Sequence, residues 1–277
     1  MQGAVRSALA GLPAGGEVVV IDDHSAEPAA DFLADFAPDM VQGRLRVVLN
    51  GAGKGPAAAR NFGVAEAQGP VVLFLDDDDL LHPDYPAAVL QMQAMGFAFG
   101  FAKIRRFDDG MQPVPQAHGD APPLALKALP FKARLGGLGC GFWMERQLFE
   151  RVGGINPLLF VNEDTDLSLK LLKSGARGSF LPRVAAYVRN HATPTAHLTL
   201  GTPAYQRACY FEILLEDHAD WLATQPDAHR FLLRRFVKML AKSRDLAALT
   251  AGLRRGRAGA DLWAYGFANY LIYRIKV

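Results

Sequence analysis

Apolar residues along the chain come in short unbroken runs that end in polar loops, and this pattern changes near residue 200. Glu17 to Ile21, Arg44 to Leu49, Val71 to Leu75, residues 96–107 and residues 140–145 are compact runs rich in Val, Leu, Phe and Ile, bounded by Gly, Pro, Asn or Asp. Runs of this kind predict strands, and Val71 to Leu75 reads as one buried on both faces. Helical spacing fills the gaps: residues 3–10, 28–37, 56–68, 83–95, a short helix ending at Gly153-Gly154, and one carrying Leu167, Leu171 and Leu172 that stops at Gly175. A strand pair is predicted near 177–189. Alternating strands and helices predict an α/β domain over residues 1–200. Beyond Pro203 the strands stop, and helices are predicted at 203–223, 227–242, 244–255 and 259–274, a helical extension over 201–277. Between strand and helix, residues 108–136 carry five Pro and little periodicity, which reads as a flap or acceptor-side loop.

Three of the predicted elements carry clustered acids. Val71 to Leu75 runs into Asp76, Asp77, Asp78 and Asp79, and four adjacent carboxylates cannot all be buried and ionised without a counter-charge. The β-run ending at Ile21 delivers Asp22 and Asp23, and Asn162-Glu163-Asp164-Thr165-Asp166 opens a helix. One acid at such a place is an ordinary turn former or N-cap. Clusters beyond the carboxyl ends of strands in an open α/β sheet suit a cation that carries phosphate. Asn50 to Gly55 is a Gly-rich loop leading into a helix, a setting that favours anions, with Lys54 and Arg60 placed to meet phosphate. It has the spacing of neither a P-loop nor a dinucleotide fingerprint. His191, after the 177–189 segment, is a further metal-ligand candidate.

Composition narrows the class. Half of the 277 residues are hydrophobic and the formal net charge is +2, which excludes wholesale disorder and a nucleic-acid footprint over the whole chain. Cys140 and Cys209 are far apart and lack zinc spacing, so free thiols in a reducing compartment are expected. No stretch approaches 18 apolar residues, which predicts a soluble or peripheral protein in the cytoplasm. Basic residues gather late, from Arg230 to Arg257, on helices whose other faces hold Leu, Phe, Trp and Tyr. Those faces fit packing on the α/β domain, pairing with a second subunit in a homo-oligomer, or contact with the inner face of an anionic membrane.

In order as well as in kind, the motifs resemble the family-two glycosyltransferases of the GT-A fold: Ile21-Asp22-Asp23-His24-Ser25, Ala59-Arg60-Asn61-Phe62-Gly63, Leu75 with Asp76 to Asp79, Gly141 to Arg146, and Glu163-Asp164-Thr165-Asp166-Leu167. The resemblance spans roughly residues 4–195. It implies a mixed, mainly parallel sheet flanked by helices. It further implies a metal-dependent, inverting transfer of sugar from a nucleoside diphosphate sugar, with UDP the commonest nucleotide, to a glycan or lipid-linked acceptor. Position by position, the resemblance assigns Asp23 to the base, with Asp22 beside it, and Lys54 and Arg60 to the nucleotide and its diphosphate. Asp76 and Asp78 are the acids of a D-x-D signature for Mg²⁺ or Mn²⁺, Asp77 fills the variable place and His191 adds a metal contact. Asp164 is the general base, and Asp79 holds the loop. The family's first strand and its Pro-x-Tyr-Asn segment do not precede the Asp22-Asp23 acids. The sequence therefore predicts a sheet without that strand, Val18 to Val20 at an exposed edge, and a start upstream of Met1. A catalytically silent nucleotide- or partner-binding domain is the alternative that this departure raises.

Overall fold

The computed structural model describes residues 1–108, 110, 113, 121–191, 201–256 and 258–275. The chain divides into two compact units, Met1–Ala192 and Thr193–Val277. The sequence boundary near residue 200 falls outside the described residues, as do residues 109, 111–112 and 114–120 of the Pro-rich segment.

The first unit is α/β. Helix α1 (Gln2–Ala10) leads to β1 (Val18–Asp22). Helix α2 (Ala29–Phe32), a 3₁₀ turn (Ala34–Phe36) and α3 (Ala37–Val41) carry the chain back to β2 (Leu45–Leu49), which pairs with β1 in parallel. The single helix predicted at 28–37 is broken, with Pro38 in the first turn of α3. Helix α4 (Pro56–Glu66) then precedes β3 (Val71–Leu75), the two-residue β4 (Leu80–Leu81) and α5 (Tyr85–Ala94). Strand β5 (Phe99–Asp108), short β6 (Leu124–Ala125), β7 (Cys140–Glu145), α6 (Arg146–Arg151), α7 (Glu163–Lys173) and β8 (Gly178–Asn190) complete the unit.

Among the described residues the strands form two sheets: β1 with β2, and a larger one in the order β3-β7-β5-β8-β4, with β6 paired to β8. The α/β class stands, but the larger sheet is mixed and not mainly parallel. Only β5–β8 is parallel there, because helices α6 and α7 lie between those strands in sequence, whereas β7 enters between β3 and β5 running the other way. Strand β3 is an edge strand of this sheet and is half-buried, not covered on both faces. Val18 to Val20 of β1 are likewise half-buried. The predicted strand pair at 177–189 is one 13-residue strand, β8, whose pairing to β5 shifts around Pro182 and Arg183. A bulge absorbs the proline that the sequence pattern reads as a break.

Alternation along β7 shows how the large sheet is covered. Phe142 and Met144 enter a core with Ala57 and Val64 of α4, Leu148 of α6 and Leu167 and Leu171 of α7. Trp143 points to the other face, among Tyr85, Val89 and Met92 of α5. All three β7 side chains are at most 1 % exposed. Period-two burial on both faces fixes the register, since a one-residue slip would exchange the two cores.

The second unit is helical: α8 (Ala204–Asp217), α9 (Ala219–Ala223), α10 (Pro226–Lys242), α11 (Leu246–Arg255) and α12 (Ala260–Ile275). The predicted helix 203–223 breaks at His218, whose backbone leaves the helical region. Helix α10 is central, burying Leu232, Leu233, Phe236, Val237 and Leu240.

Candidate functional site

The acid run after β3 takes its shape from two other strands. On one side the Asp76 N–H donates to the Gly139 carbonyl at 2.9 Å, just before β7. On the other, β4 pairs with β8 from Leu80↔Tyr187, which brings Arg189 and His191 alongside the acids. Each aspartate therefore meets a different environment. Asp79 is 3 % exposed and accepts the Arg189 N–H at 2.9 Å. Burial, reinforced by the charges of Asp78 and Asp76, pushes its pKa up to about 7 against the opposing Arg189 hydrogen bond. Asp78 lies 2.5 Å from His191 Nε2, and its backbone carbonyl accepts from Arg189 Nε at 3.1 Å. Asp77 is exposed. Asp76 is 46 % exposed at its side chain and accepts from Arg60 Nη2 at 2.8 Å.

Arg60, one and a half turns into α4, is the hinge of the arrangement. Its other terminal nitrogen donates to Glu163 at 2.9 Å, so one guanidinium joins the acid run to the start of α7. Burial alone would lower the Arg60 pKa, but Asp76 and Glu163 outweigh it and hold the pKa above the ordinary value. Glu163 is shifted up by burial and by Asp164. Asp164 is shifted up chiefly by burial, against hydrogen bonds from Thr165. Within α7, buried Asp166 pairs with Lys170 at 2.8 Å, and Lys170 Nζ donates to the Gly154 carbonyl at 3.0 Å, tying the helix to the loop before it.

At the end of β1 two acids accept hydrogen bonds from different parts of the chain. Asp22, 8 % exposed, spends both carboxylate oxygens on the chain's own turn, accepting from Ser25 N at 2.9 Å and Ala29 N at 2.8 Å, and these backbone donors lower its pKa. Asp23 faces the Gly-rich loop, accepting from Asn50 Nδ2 at 2.7 Å and from Gly55 N at 2.7 Å. Lys54 is exposed on that loop. The structure thus ties Asp76, Arg60 and α7 into one network and pairs Asp78 with His191. Both Asp22 and Asp23 hold the chain's own turns, Asp22 buried and Asp23 half-buried.

Comparison with known proteins decides the family. The family model described as Glycosyl transferase family 2 matches residues 2–153, more than half of the chain. The chain is a family 2 glycosyltransferase. It is 34% identical over 214 residues to the succinoglycan biosynthesis protein ExoU of Rhizobium meliloti, covering 71% of this chain and 60% of that protein. It is 28% identical over 161 residues to an uncharacterized glycosyltransferase of Haemophilus influenzae, covering 57% of this chain and 52% of the relative. The matched segments thus span little more than half of these relatives' lengths. Among solved structures, S. aureus TarS 1-349 superposes with a TM-score of 0.56 at 19% identity, over 97% of this chain and 84% of TarS 1-349. GalNAc-T7, solved with UDP, GalNAc and Mn2+, gives 0.58 at 19% identity, over 94% of this chain and 53% of its own. These neighbours establish the GT-A fold of the glycosyltransferase.

Several residues that organise the site of this glycosyltransferase received no role from the motifs. Asn50, 1 % exposed, holds Asp23 while its Oδ1 accepts Ala52 N at 3.0 Å and its amide reaches the Gly53 carbonyl, so it folds the Gly-rich loop around the acid. A polar residue directly between a strand and a Gly-rich loop was the available signal. Gly139 is needed for space, since a β-carbon there would overlap the Asp76 carboxylate. Arg146, the end of the Gly141–Arg146 motif, donates through Nε to the Gly69 carbonyl at 3.2 Å and through its backbone to Pro70 at 2.9 Å, fixing the entry into β3. Asn61 clamps α4 to the loop before α7 by exchanging hydrogen bonds with the Ile155 backbone at 2.8 and 2.9 Å.

Proposed function

We propose that this glycosyltransferase moves a sugar from a UDP-sugar to a hydroxyl of a glycan acceptor, with inversion at the anomeric carbon and with Mg²⁺ or Mn²⁺ as cofactor. The observation that carries the reading is the Arg60 bridge, which links half-exposed Asp76 to the α7 turn that presents Asp164. Asp23, at the mouth of the Gly-rich loop, recognises the base, while Lys54 and the α4 N-terminus meet phosphate. Asp164 takes the proton of the acceptor hydroxyl, and its raised pKa makes it a stronger base than an ordinary exposed carboxylate. One base without a covalent nucleophile means a single displacement, hence inversion.

The donor set fits a hard divalent cation. Asp78 and His191 offer a carboxylate and an imidazole side by side, with Asp76 close in sequence and half-exposed. Among the described residues no three His, Cys, Asp or Glu side chains converge on one point; phosphate and water would complete the shell of a cation held by Asp78 and its neighbours. When bound, the cation neutralises charge on the departing diphosphate. Support for the donor comes from TarS, solved with UDP and with UDP-GlcNAc, and support for the cation from GalNAc-T7, solved with Mn2+. Support for a polysaccharide acceptor comes from the succinoglycan biosynthesis relative. The free thiols Cys140 and Cys209 fit a cytoplasmic setting.

The test is UDP release from a panel of UDP-sugars, with Mn²⁺ or with chelator, followed by NMR of the product's anomeric configuration. Asp164→Asn should abolish transfer while leaving UDP binding intact, and Asp78→Ala should raise the Mn²⁺ concentration required. Full activity in chelator would remove the metal from the reading, and a retained anomeric configuration would remove the single displacement.

A further inference from the structure

Helix α12 is apolar on the face it buries and on the face it shows. Leu262, Gly266 and Tyr270 point inward, and a β-carbon at Gly266 would lie 3.0 Å from Val237 of α10 and 3.3 Å from Leu249 and Leu253 of α11. The opposite face carries Ala264, Phe267, Ala268, Leu271, Ile272 and Ile275, all exposed, with Leu271 at 57 % and Ile275 at 78 %. A helix that is hydrophobic all round belongs in a protein core or against lipid. No described helix is long and apolar enough to cross a membrane, so α12 could only lie along a surface.

Charge identifies the occupant. From Pro226 to Val277 the sequence holds eleven Lys and Arg against three Asp and Glu. Two of those acids are engaged, Asp261 with Arg230 at 2.5 Å and Asp245 as the N-cap of α11, accepting from Ala248 N at 2.9 Å, while Arg255 is paired at 2.8 Å with Glu212 of α8. Two cations rest on rings of α12 itself. Arg234 lies 4.5 Å over Tyr265, and Arg274 donates to the Tyr270 hydroxyl at 2.8 Å, contacts that leave their positive charge uncompensated. A second copy laid on this face would bring two regions of net positive charge together, whereas an anionic lipid surface supplies apolar depth and negative charge at once.

We propose that the outward face of α12, from Ala264 to Ile275, docks on an anionic phospholipid bilayer, with the surrounding arginines at the headgroups. The proposal stands apart from the sugar-transfer reading and fails independently of it. The experiment is co-sedimentation of the full chain with vesicles of phosphatidylcholine alone or mixed with phosphatidylglycerol, at low and high salt, for wild type and the Leu271→Glu/Ile275→Glu variant. Both substituted side chains are exposed, so circular dichroism, thermal unfolding and UDP release should be unchanged. Wild type should partition onto the anionic vesicles, release at high salt, and bind neutral vesicles weakly. The variant should lose about tenfold or more in partitioning. Absence of binding to anionic vesicles, or equal binding by wild type and variant, would overturn the proposal. So would a wild-type dimer in light scattering that the variant dissociates while neither form binds vesicles, which would mark the face as a subunit interface.

Discussion

Replacing Gly139 by Ala separates the geometry of Asp76 from the stability of the fold. The Gly139 backbone does not require glycine, because its φ lies outside the left-handed region. The obstacle is the Asp76 carboxylate, which occupies the place a methyl group would take. Asp76 is 46 % exposed at its side chain, so the carboxylate can swing toward solvent, giving up its contact with Arg60. A partly exposed ion pair is worth about 0.2–1 kcal/mol, and an unfavourable rotamer adds about 0.5–1.5 kcal/mol. Against this, Gly→Ala gains about 0.4–1 kcal/mol by restricting the unfolded chain. The expected net loss is about 1 kcal/mol by urea denaturation. Transfer should suffer far more, by about 100-fold in kcat/KM, the scale on which misplacing one preorganised charged group is felt. Gly137→Ala is the control, since its β-carbon meets only Cys140 Sγ at 3.8 Å and should change neither quantity. The reasoning is refuted if Gly139→Ala keeps its activity within about threefold, a barrier change under 1 kcal/mol. It is equally refuted if the variant loses stability on the scale of a disrupted core.

Other consequences follow from the same contacts. Arg60→Met should destabilise by about 3 kcal/mol in denaturant titration, because it strands Glu163, which is only 15 % exposed, while the Asp76 share is at most about 1 kcal/mol. Asp79, with its pKa raised to about 7, binds a proton in the folded state that the unfolded chain has already released. Its contribution should therefore erode stability as pH rises from about 4 to 7, by up to about 4 kcal/mol. In metal-free buffer, Asp79→Asn should remove that slope from the pH dependence of thermal unfolding, and an unchanged slope would contradict it. Cys140, pushed up to about 12 by burial and by the charges of Asp79 and Asp76, should react with iodoacetamide at pH 8 at least about 100-fold more slowly than in the unfolded chain. Mass spectrometry of the modified peptide measures this directly.

What the amino-acid sequence determined by itself was local and ordered along the chain. Strands β1, β2, β3 and β7 and helices α4 and α7 follow from unbroken apolar runs and helical spacing, since burial on a strand or a helix stripe imposes a pattern that neighbouring residues carry together. The order of the acid motifs likewise pointed to a family 2 glycosyltransferase, as the family match confirms. What only the tertiary structure decided was how residues of one type divide their work. Asp76 to Asp79 are four copies of one side chain. They differ because Gly139 backs the first, His191 pairs with the third and the Arg189 N–H bonds to the fourth, and those partners lie on or beside β7 and β8, 60 to more than 100 positions away. Asp22 and Asp23 are adjacent, yet one caps a turn and the other holds the Gly-rich loop, because their partners Ser25 and Ala29, and Asn50 and Gly55, come from different parts of the chain. The mixed sheet escaped the sequence for a related reason. An apolar run announces a strand but not its direction, and the antiparallel course of β7 exists only in its pairing with β3 and β5.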